Sequence, residues 1–420
     1  MRLPMLWPWL GRPLRIMRYL GAGLIAGASD NDPTTVGTLA IIGASTGYRL
    51  TWLVLLLLPM LVTVQIVSTR LGAVTRQHFL EVIAACYGRR WAWVAALLVV
   101  SVCVITIGAD LEGGAAALSL LTGRPWPWFV VPLALFVGGL LLFGSYTAVE
   151  RALRYVLLIF IAYPVAAFLA QPPWGAVLAA SFQPAVEFSG DYLSAALALL
   201  GTTLTSYVYI WQTVEIKEER PPLAALPLLE LDAAVGIVVT VAMFWFIVVA
   251  TGATLGASGQ RVQTAQDAAA ALAPLAGPLA GAVFAIGLLG SALIALPVLA
   301  ATTGYCVAAL YGWPAGLSAR SKAQTWRFYA VVLGSLVLGA ALTLLGIDPM
   351  QLLFVASIVG GLGTPVLLAL LLLLARSERV MGAYAVRGWL AAAGWGTVAI
   401  VSLASVAYLV QQFLGDGGSV

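Results

Sequence analysis

Two short polar stretches lie inside segments of this chain that are otherwise apolar. The first, GASDNDPTTVG at residues 27–37, holds two carboxylates and a proline, in Asp30, Asp32 and Pro33. The second, LLGTTLTSYVYIWQ at residues 199–212, places four hydroxyl side chains after a glycine. Carboxylate and hydroxyl oxygens are ligands of hard cations, and a proline interrupts helical hydrogen bonding. Both stretches therefore indicate polar interruptions where a continuous apolar helix would otherwise run.

The composition shows what surrounds these stretches. Of the 420 residues, 62% are hydrophobic and 9% are charged, and the mean hydropathy is +1.00. Soluble domains carry about 25% charged residues, so the chain is predicted to be an integral membrane protein. A spanning helix needs about 20 apolar residues, and eleven runs qualify, near 17–46, 51–70, 92–119, 128–146, 152–170, 192–215, 233–255, 278–300, 326–345, 350–374 and 390–412. Short connections leave no room for a soluble domain, so the expected fold is all-α with about eleven transmembrane helices.

The basic residues set the expected orientation. If the N-terminus is cytoplasmic and each run crosses once, 18 of the 21 Lys and Arg residues fall inside. Cytoplasmic loops collect Lys and Arg, so we expect a cytoplasmic N-terminal segment at 1–16 and an external C-terminus. The net charge of +4 then reflects topology, and no nucleic-acid partner is expected. The expected setting is the lipid bilayer of a cell membrane, the inner membrane in a prokaryote, with the chain as a monomer.

The interrupted runs are the first and the sixth, five spans apart. Two interrupted helices at matching positions of two halves are typical of inverted-repeat transporters, which bind their substrate at the membrane midplane. We expect two five-helix repeats, at about 17–170 and 192–374, forming a transporter core at 17–375. An eleventh helix and the external C-terminus then occupy 376–420. The sixth run has no proline, so its unwinding is predicted only from its position and its hydroxyl residues.

Asp32 is the main candidate for binding a transported substrate. Ionisable residues inside a membrane indicate a functional site, and backbone groups freed by a helix break require a polar cavity. Alternatively, Asp32 caps the helix that follows, which does not exclude a role as a ligand. Residues two apart point to different sides of a helix, so Asp30 reaches the same cavity only if the segment unwinds. Gln212 either lines the inner vestibule or makes a helix–helix hydrogen bond.

Other chemistry is not indicated by the sequence. The three cysteines, Cys86, Cys103 and Cys306, are far apart and form no pair motif. The single histidine, His78, falls in a connecting segment, where a solvated side chain is expected. No pairing of a nucleophile with a base suggests an enzyme. No cofactor is expected beside a transported cation.

Four motifs in collinear order resemble the natural resistance-associated macrophage protein (Nramp) superfamily. GAGLIAGASDNDPTTVGT at 21–38 is similar to the first helix of that family, and GADLEGGAAALSLLTG at 108–123 to the third. ALLGTTLTSYVYIWQ at 198–212 is similar to the sixth helix, and GLLGSALIALPVLAATTGY at 287–305 to the eighth. The resemblance extends from about residue 17 to 375. It implies a leucine-transporter-like fold of five plus five helices, with helices 1 and 6 unwound at mid-membrane.

Departures from the family pattern bear on the substrate. Metal-ion members have Asp-Pro-Gly-Asn in helix 1, so the resemblance puts Asp32 at the aspartate position and Thr35 at the asparagine position. They have Ala-x-Met-Pro-His in helix 6, where this chain has Thr203, Thr205 and Tyr207 at the alanine, methionine and histidine positions. Sulfur ligands favour transition metals, whereas oxygen ligands suit Mg²⁺ and Mn²⁺.

The chain thus resembles the Nramp-related magnesium-transporter branch, which similarly lacks the methionine. The resemblance implies Mg²⁺ as the cargo, with Mn²⁺ as a second substrate. The candidate ligands are Asp32, Thr35, Thr203, Thr205, Asp30 and Gln212.

Asp110 and Glu112 stand at the acidic positions of the third helix. The resemblance suggests a role in the pathway or in proton relay, and a buried polar bridge between helices is the alternative. Tyr207 replaces the histidine of helix 6, and an ordinary tyrosine pKa of about 10 makes it a poor proton carrier at neutral pH. The expected transport is therefore electrogenic and uncoupled from protons, with these three residues along the pathway.

Two other functions stay open at this point. A proton-coupled Mn²⁺ or Fe²⁺ importer is the nearest alternative, and the missing methionine and histidine of helix 6 argue against it. An amino-acid transporter of the same fold is the second. Such sites receive the substrate carboxylate on backbone N–H groups, and aspartates there would repel it.

Overall fold

The protein is described by a computed structural model that covers residues 31–143, 161–259, 262–272, 277–317 and 324–415. The first polar stretch is described from Asn31 onward. Asp30 and the predicted N-terminal segment lie outside these residues.

All regular secondary structure in the described ranges is helical. The α-helices are α1 (Pro33–Thr46), α2 (Thr51–Thr75), α3 (Phe79–Tyr87), α4 (Arg89–Thr122), α5 (Pro127–Phe143), α6 (Ala162–Leu169), α7 (Trp174–Phe182), α8 (Gly190–Thr203), α9 (Ser206–Glu219), α10 (Leu226–Thr251), α11 (Ala265–Ala270), α12 (Ala280–Tyr311), α13 (Trp326–Leu342), α14 (Pro349–Arg376), α15 (Glu378–Met381) and α16 (Gly388–Gly415). A π-helical turn, Gly252–Gly256, continues α10.

Within the described ranges, eight helical segments are long and apolar enough to cross a membrane. They are Thr51–Thr75, Arg89–Thr122, Gly190–Glu218, Leu223–Gly256, Ala280–Tyr311, Trp326–Leu345, Pro349–Arg376 and Gly388–Phe413. Helix α5 is apolar but shorter, with 17 residues. Together these segments match nine of the predicted runs. The other two, near 17–46 and 152–170, lie partly outside the described residues.

Two helices begin where an aspartate precedes a proline. Asp32 caps α1 and Asp348 caps α14, and in each case the proline is the first helical residue. The aspartate oxygen accepts a backbone N–H that the first turn leaves without an intrahelical partner, and proline has no N–H to satisfy. The Asp-Pro pairs therefore fix both helix starts, and the alternative that Asp32 caps the following helix is confirmed.

The sixth apolar run is broken at its centre, which confirms its predicted unwinding. Helix α8 ends at Thr203 and α9 begins at Ser206, so Leu204 and Thr205 are non-helical. The Leu204 carbonyl accepts a hydrogen bond from the Thr364 hydroxyl of α14 over 3.3 Å. A neighbouring helix thus satisfies one of the backbone groups that the break exposes, as membrane depth requires.

Close packing of α8 against α14 holds this break in place. A Cβ atom on Gly201 would overlap the Ser357 carbonyl and the backbone of Gly361. A Cβ on Gly361 would lie 2.8 Å from the Leu197 carbonyl. Helix α1 joins the same cluster through Thr38, whose hydroxyl lies 2.8 Å from that of Ser357. Small residues let these backbones approach, so α1 and the α8–α9 break meet next to α14.

Candidate functional site

A small cavity lies between the start of α1 and the α8–α9 break, with room for about one water-sized particle. Helices α4 and α14 close it from the other sides. Its lining consists of one carboxylate, five hydroxyl side chains and three small residues. These are Asp32, Thr34, Thr106, Gly201, Thr202, Thr205, Ala356, Ser357 and Gly360. Every side chain that offers a ligand atom here offers oxygen.

Asp32 connects the start of α1 with α9. Its Oδ1 accepts the Thr35 backbone N–H of α1 over 2.6 Å, and its Oδ2 accepts the Tyr207 hydroxyl of α9 over 2.7 Å. Asp32 and Tyr207 are both buried, with 2% and 1% of their surface exposed. The capping role and the place in the cavity thus belong to the same carboxylate. A cation that binds Oδ2 competes with Tyr207 for that oxygen.

Hydroxyl groups of α1 and α8 meet beside Asp32. The Thr35 and Thr202 hydroxyl oxygens are 2.9 Å apart. Thr205 occupies the N-cap position of α9 but makes no capping hydrogen bond, and its side chain lines the cavity. The break therefore presents the Thr205 hydroxyl to the cavity rather than to its own helix.

Asp110 binds the first turn of α1 from α4. Its Oδ1 accepts the Thr34 backbone N–H over 3.0 Å and the Thr34 hydroxyl over 2.6 Å. The residue is fully buried, and no described residue hydrogen-bonds to its Oδ2. A helix N-terminus stabilises negative charge, and here two carboxylates, Asp110 and Asp32, bind the first turn of α1. Asp110 binds Thr34, two residues after Asp32, and so bridges α4 and α1.

Glu112 lies on the same helix, and no described residue hydrogen-bonds to its carboxylate oxygens. It is fully buried and is not among the residues that line the cavity at Asp32. Asp348, the cap of α14, is an acidic group whose charge acts on Glu112. Burial, together with the charge of Asp267, raises the pKa of Asp348 above its ordinary value.

Two other predicted residues, Thr203 and Gln212, are not among the residues that line the cavity. The Thr203 hydroxyl donates to the Leu199 carbonyl of its own helix over 2.7 Å. Gln212 is half-buried, further along α9. Asp30 lies outside the described residues.

Sequence reasoning did not select four cavity residues, Thr34, Thr106, Thr202 and Ser357. Thr34 and Thr202 could have been chosen, because they stand inside the two polar stretches. Thr106 and Ser357 are single hydroxyls in apolar helices, and only the packing of α4 and α14 identifies them.

The expectation of a solvated His78 is wrong. His78 is buried and caps α3, with Nδ1 accepting the Leu80 N–H over 3.2 Å and Glu81 accepting the His78 N–H over 2.8 Å. Glu81 also forms an ion pair with Lys217 of α9 at 2.8 Å. Burial lowers the pKa of His78 to about 4, with Lys217 acting in the same direction and Glu81 against it. The Glu81–Lys217 ion pair thus joins the end of α9 to the capping box of α3.

Comparison with known proteins supports a metal-transporter relationship. A family model described as natural resistance-associated macrophage protein-like matches residues 23–411. The chain is 30% identical over 421 residues to the divalent metal cation transporter MntH of Deinococcus radiodurans, covering 96% of this chain and 91% of that protein. It is 24% identical over 392 residues to the protein of the same name from Caldanaerobacter subterraneus, covering 90% and 89%.

Two solved structures share the fold. A manganese transporter from Eremococcus coleocola superposes with a TM-score of 0.75 at 19% identity, covering 100% of this chain and 91% of that chain. The inward-facing conformation of Mhp1 gives a TM-score of 0.61 at 15% identity, covering 93% and 88%. The predicted leucine-transporter-like fold is therefore confirmed.

Proposed function

Because the chain belongs to the natural resistance-associated macrophage protein family, we propose that it carries divalent metal ions into the cytoplasm by alternating access. Mg²⁺ is the preferred cargo and Mn²⁺ a competing one. Asp32 supplies the charged ligand, and Thr205, with the hydroxyls beside it, supplies neutral oxygen ligands. Relatives named as divalent metal cation transporters support the class of cargo.

The oxygen-only lining of the cavity is the observation that carries the choice of ion. Mg²⁺ favours oxygen ligands and keeps part of its water shell, whereas softer transition metals gain from sulfur or imidazole. Among the described residues that line the cavity there is no methionine, cysteine or histidine. His78, the single histidine of the sequence, is the N-cap of α3 instead.

Thr205→Met tests this choice, because it replaces a hydroxyl in the cavity with a thioether. We expect the variant to lose Mg²⁺ uptake in proteoliposomes and to gain relative affinity for Cd²⁺ or Fe²⁺. The matched control is Thr203→Met, since the Thr203 hydroxyl bonds within its own helix. Unchanged selectivity in Thr205→Met would remove Thr205 from the ion site.

The proposed driving force is the membrane potential. One charge moved through 100 mV gains about 2.3 kcal/mol, so a divalent ion gains about 4.6 kcal/mol. At about 1.4 kcal/mol per factor of ten, this supports a gradient of about a thousandfold without protons. Asp110 and Glu112 then act through their charge. Proteoliposomes loaded with a pH dye under a clamped potential test this, and Mg²⁺-dependent acidification that is lost in Asp110→Asn would show coupling instead.

A proton-coupled Mn²⁺ or Fe²⁺ transporter is the second candidate function. The relatives named as divalent metal cation transporters fit either function, and the pH-dye experiment separates proton-coupled from uncoupled transport. An amino-acid transporter is disfavoured by the hydrogen bonds of α1. The Thr34 and Thr35 N–H groups, which could receive a substrate carboxylate, already donate to Asp110 and Asp32.

A further inference from the structure

Helices α2 and α9 run side by side in a fixed register. The Ser68 hydroxyl donates to the Tyr209 carbonyl. A Cβ atom on Gly72 would lie 3.1 Å from the Thr213 Cα. Both contacts join residues 141 positions apart, so the helices are parallel in this region. The same offset sets Gln65 opposite Ser206.

This interface contains an unusual number of buried polar groups without partners. Within the described residues, no hydrogen-bond partner exists for Gln65 Oε1, Thr69 Oγ1, the Ser206 hydroxyl or the Tyr209 hydroxyl. None of these residues is more than 3% exposed. Buried polar groups are nearly always hydrogen-bonded, to protein or to ordered water. The presence of four such groups along one helix pair therefore indicates that a common ligand binds there.

The row of polar groups connects two places already described. At one end, Ser206 adjoins Tyr207, whose hydroxyl binds Asp32. At the other end, the Thr213 hydroxyl accepts the Phe79 N–H over 3.3 Å, next to His78. His78 Nε2 is also buried without a partner. The row thus runs from the candidate ion site to the predicted cytoplasmic side.

We propose that the α2–α9 interface binds a chain of ordered water molecules that links the Asp32–Tyr207 pair to His78. A buried water needs two to four polar partners, and hydroxyl, amide and imidazole groups recur here along the row. Water can therefore reach the Asp32–Tyr207 pair along the α2–α9 interface. The assignment of Asp32 to the ion site rests on the proposed function, whereas the water chain itself does not.

Radiolytic hydroxyl-radical footprinting of the full chain tests for this water directly. Radicals formed from bound water oxidise neighbouring side chains even when bulk solvent is excluded, and tyrosine is reactive. We expect clear oxidation of Tyr209 and background oxidation of Phe244, which is fully buried in the hydrophobic core. Equal, background labelling of both residues would overturn the proposal. This result is independent of which ion is transported.

Thr69→Val provides a second test, with Thr63→Val as the matched control. Both threonines are buried in α2, but the Thr63 hydroxyl already bonds to the Pro59 carbonyl over 2.7 Å. We expect Thr69→Val to lower the unfolding temperature and to reduce Tyr209 labelling, because water loses a partner. Thr63→Val should leave the labelling unchanged. In a dry interface, removal of an unpaired hydroxyl would instead raise the unfolding temperature, which would contradict the water chain.

Discussion

Tyr207→Phe removes the hydroxyl that competes with a bound cation for Asp32. In the structure this hydroxyl donates to Asp32 Oδ2 over 2.7 Å, and both residues are buried. A hydrogen bond to a charged acceptor contributes about 1.5–3 kcal/mol. The variant therefore leaves one carboxylate oxygen unsatisfied, and we expect the protein without ion to be less stable by about that amount.

The same change should strengthen ion binding. Since about 1.4 kcal/mol corresponds to a factor of ten, loss of the competing bond should lower the Mg²⁺ dissociation constant about tenfold. Titration calorimetry on purified protein measures the constant. A larger Mg²⁺-induced rise in unfolding temperature than in the wild type is the corresponding stability signature.

Tyr209→Phe is the matched control, because Tyr209 is equally buried on the same helix and no described residue hydrogen-bonds to its hydroxyl. Its Mg²⁺ affinity should stay that of the wild type. An unchanged or weaker affinity in Tyr207→Phe would contradict the proposed competition for Asp32. It would mean that Asp32 keeps the tyrosine hydrogen bond when the ion binds.

Two further predictions concern the scaffold. Burial lowers the pKa of His78 from 6.5 to about 4. The folded protein therefore favours the neutral imidazole, and this contribution to stability is complete above pH 6.5. It is lost as the pH falls towards 4, by at most about 3 kcal/mol. His78→Asn keeps a capping residue, and its unfolding temperature should depend less on pH across this range than that of the wild type. An identical pH profile in the two proteins would contradict the lowered pKa of His78. Gly201→Ala should destabilise the protein by about 3 kcal/mol, because the added Cβ overlaps the α14 backbone. Size-exclusion profiles and unfolding temperatures would show this, and Gly139→Ala, whose Cβ would meet open space, should behave as the wild type.

The sequence predicts those features of the site that depend on neighbouring residues. Asp32 followed by Pro33 indicates a capped helix start, and the structure has one there. The hydroxyl-rich stretch after Gly201 indicates a weak helix, and α8 ends within it at Thr203. Local propensity and missing backbone donors are properties of a few adjacent residues, so they can be recognised without a fold.

Contacts between distant segments could not be predicted in this way. The Tyr207–Asp32 hydrogen bond joins residues 175 positions apart, and it exists only because the α8–α9 break packs against the start of α1. Ser357 reaches the cavity because glycines bring α8 close to α14.

His78 is a different case, because a local signal was present. The glutamate three residues after it, Glu81, is the mark of a capping box, and the structure contains that box.

Mg²⁺ uptake into proteoliposomes at a clamped, inside-negative potential shows whether the protein carries this ion through Asp32. The wild type should concentrate Mg²⁺, and Asp32→Ala should fall to the level of empty vesicles. Asp191→Ala removes an exposed aspartate in the first turn of α8 and should retain full uptake. A wild type that carries Fe²⁺ or Cd²⁺ but ignores Mg²⁺, or an Asp32→Ala variant that still carries Mg²⁺, would contradict the account.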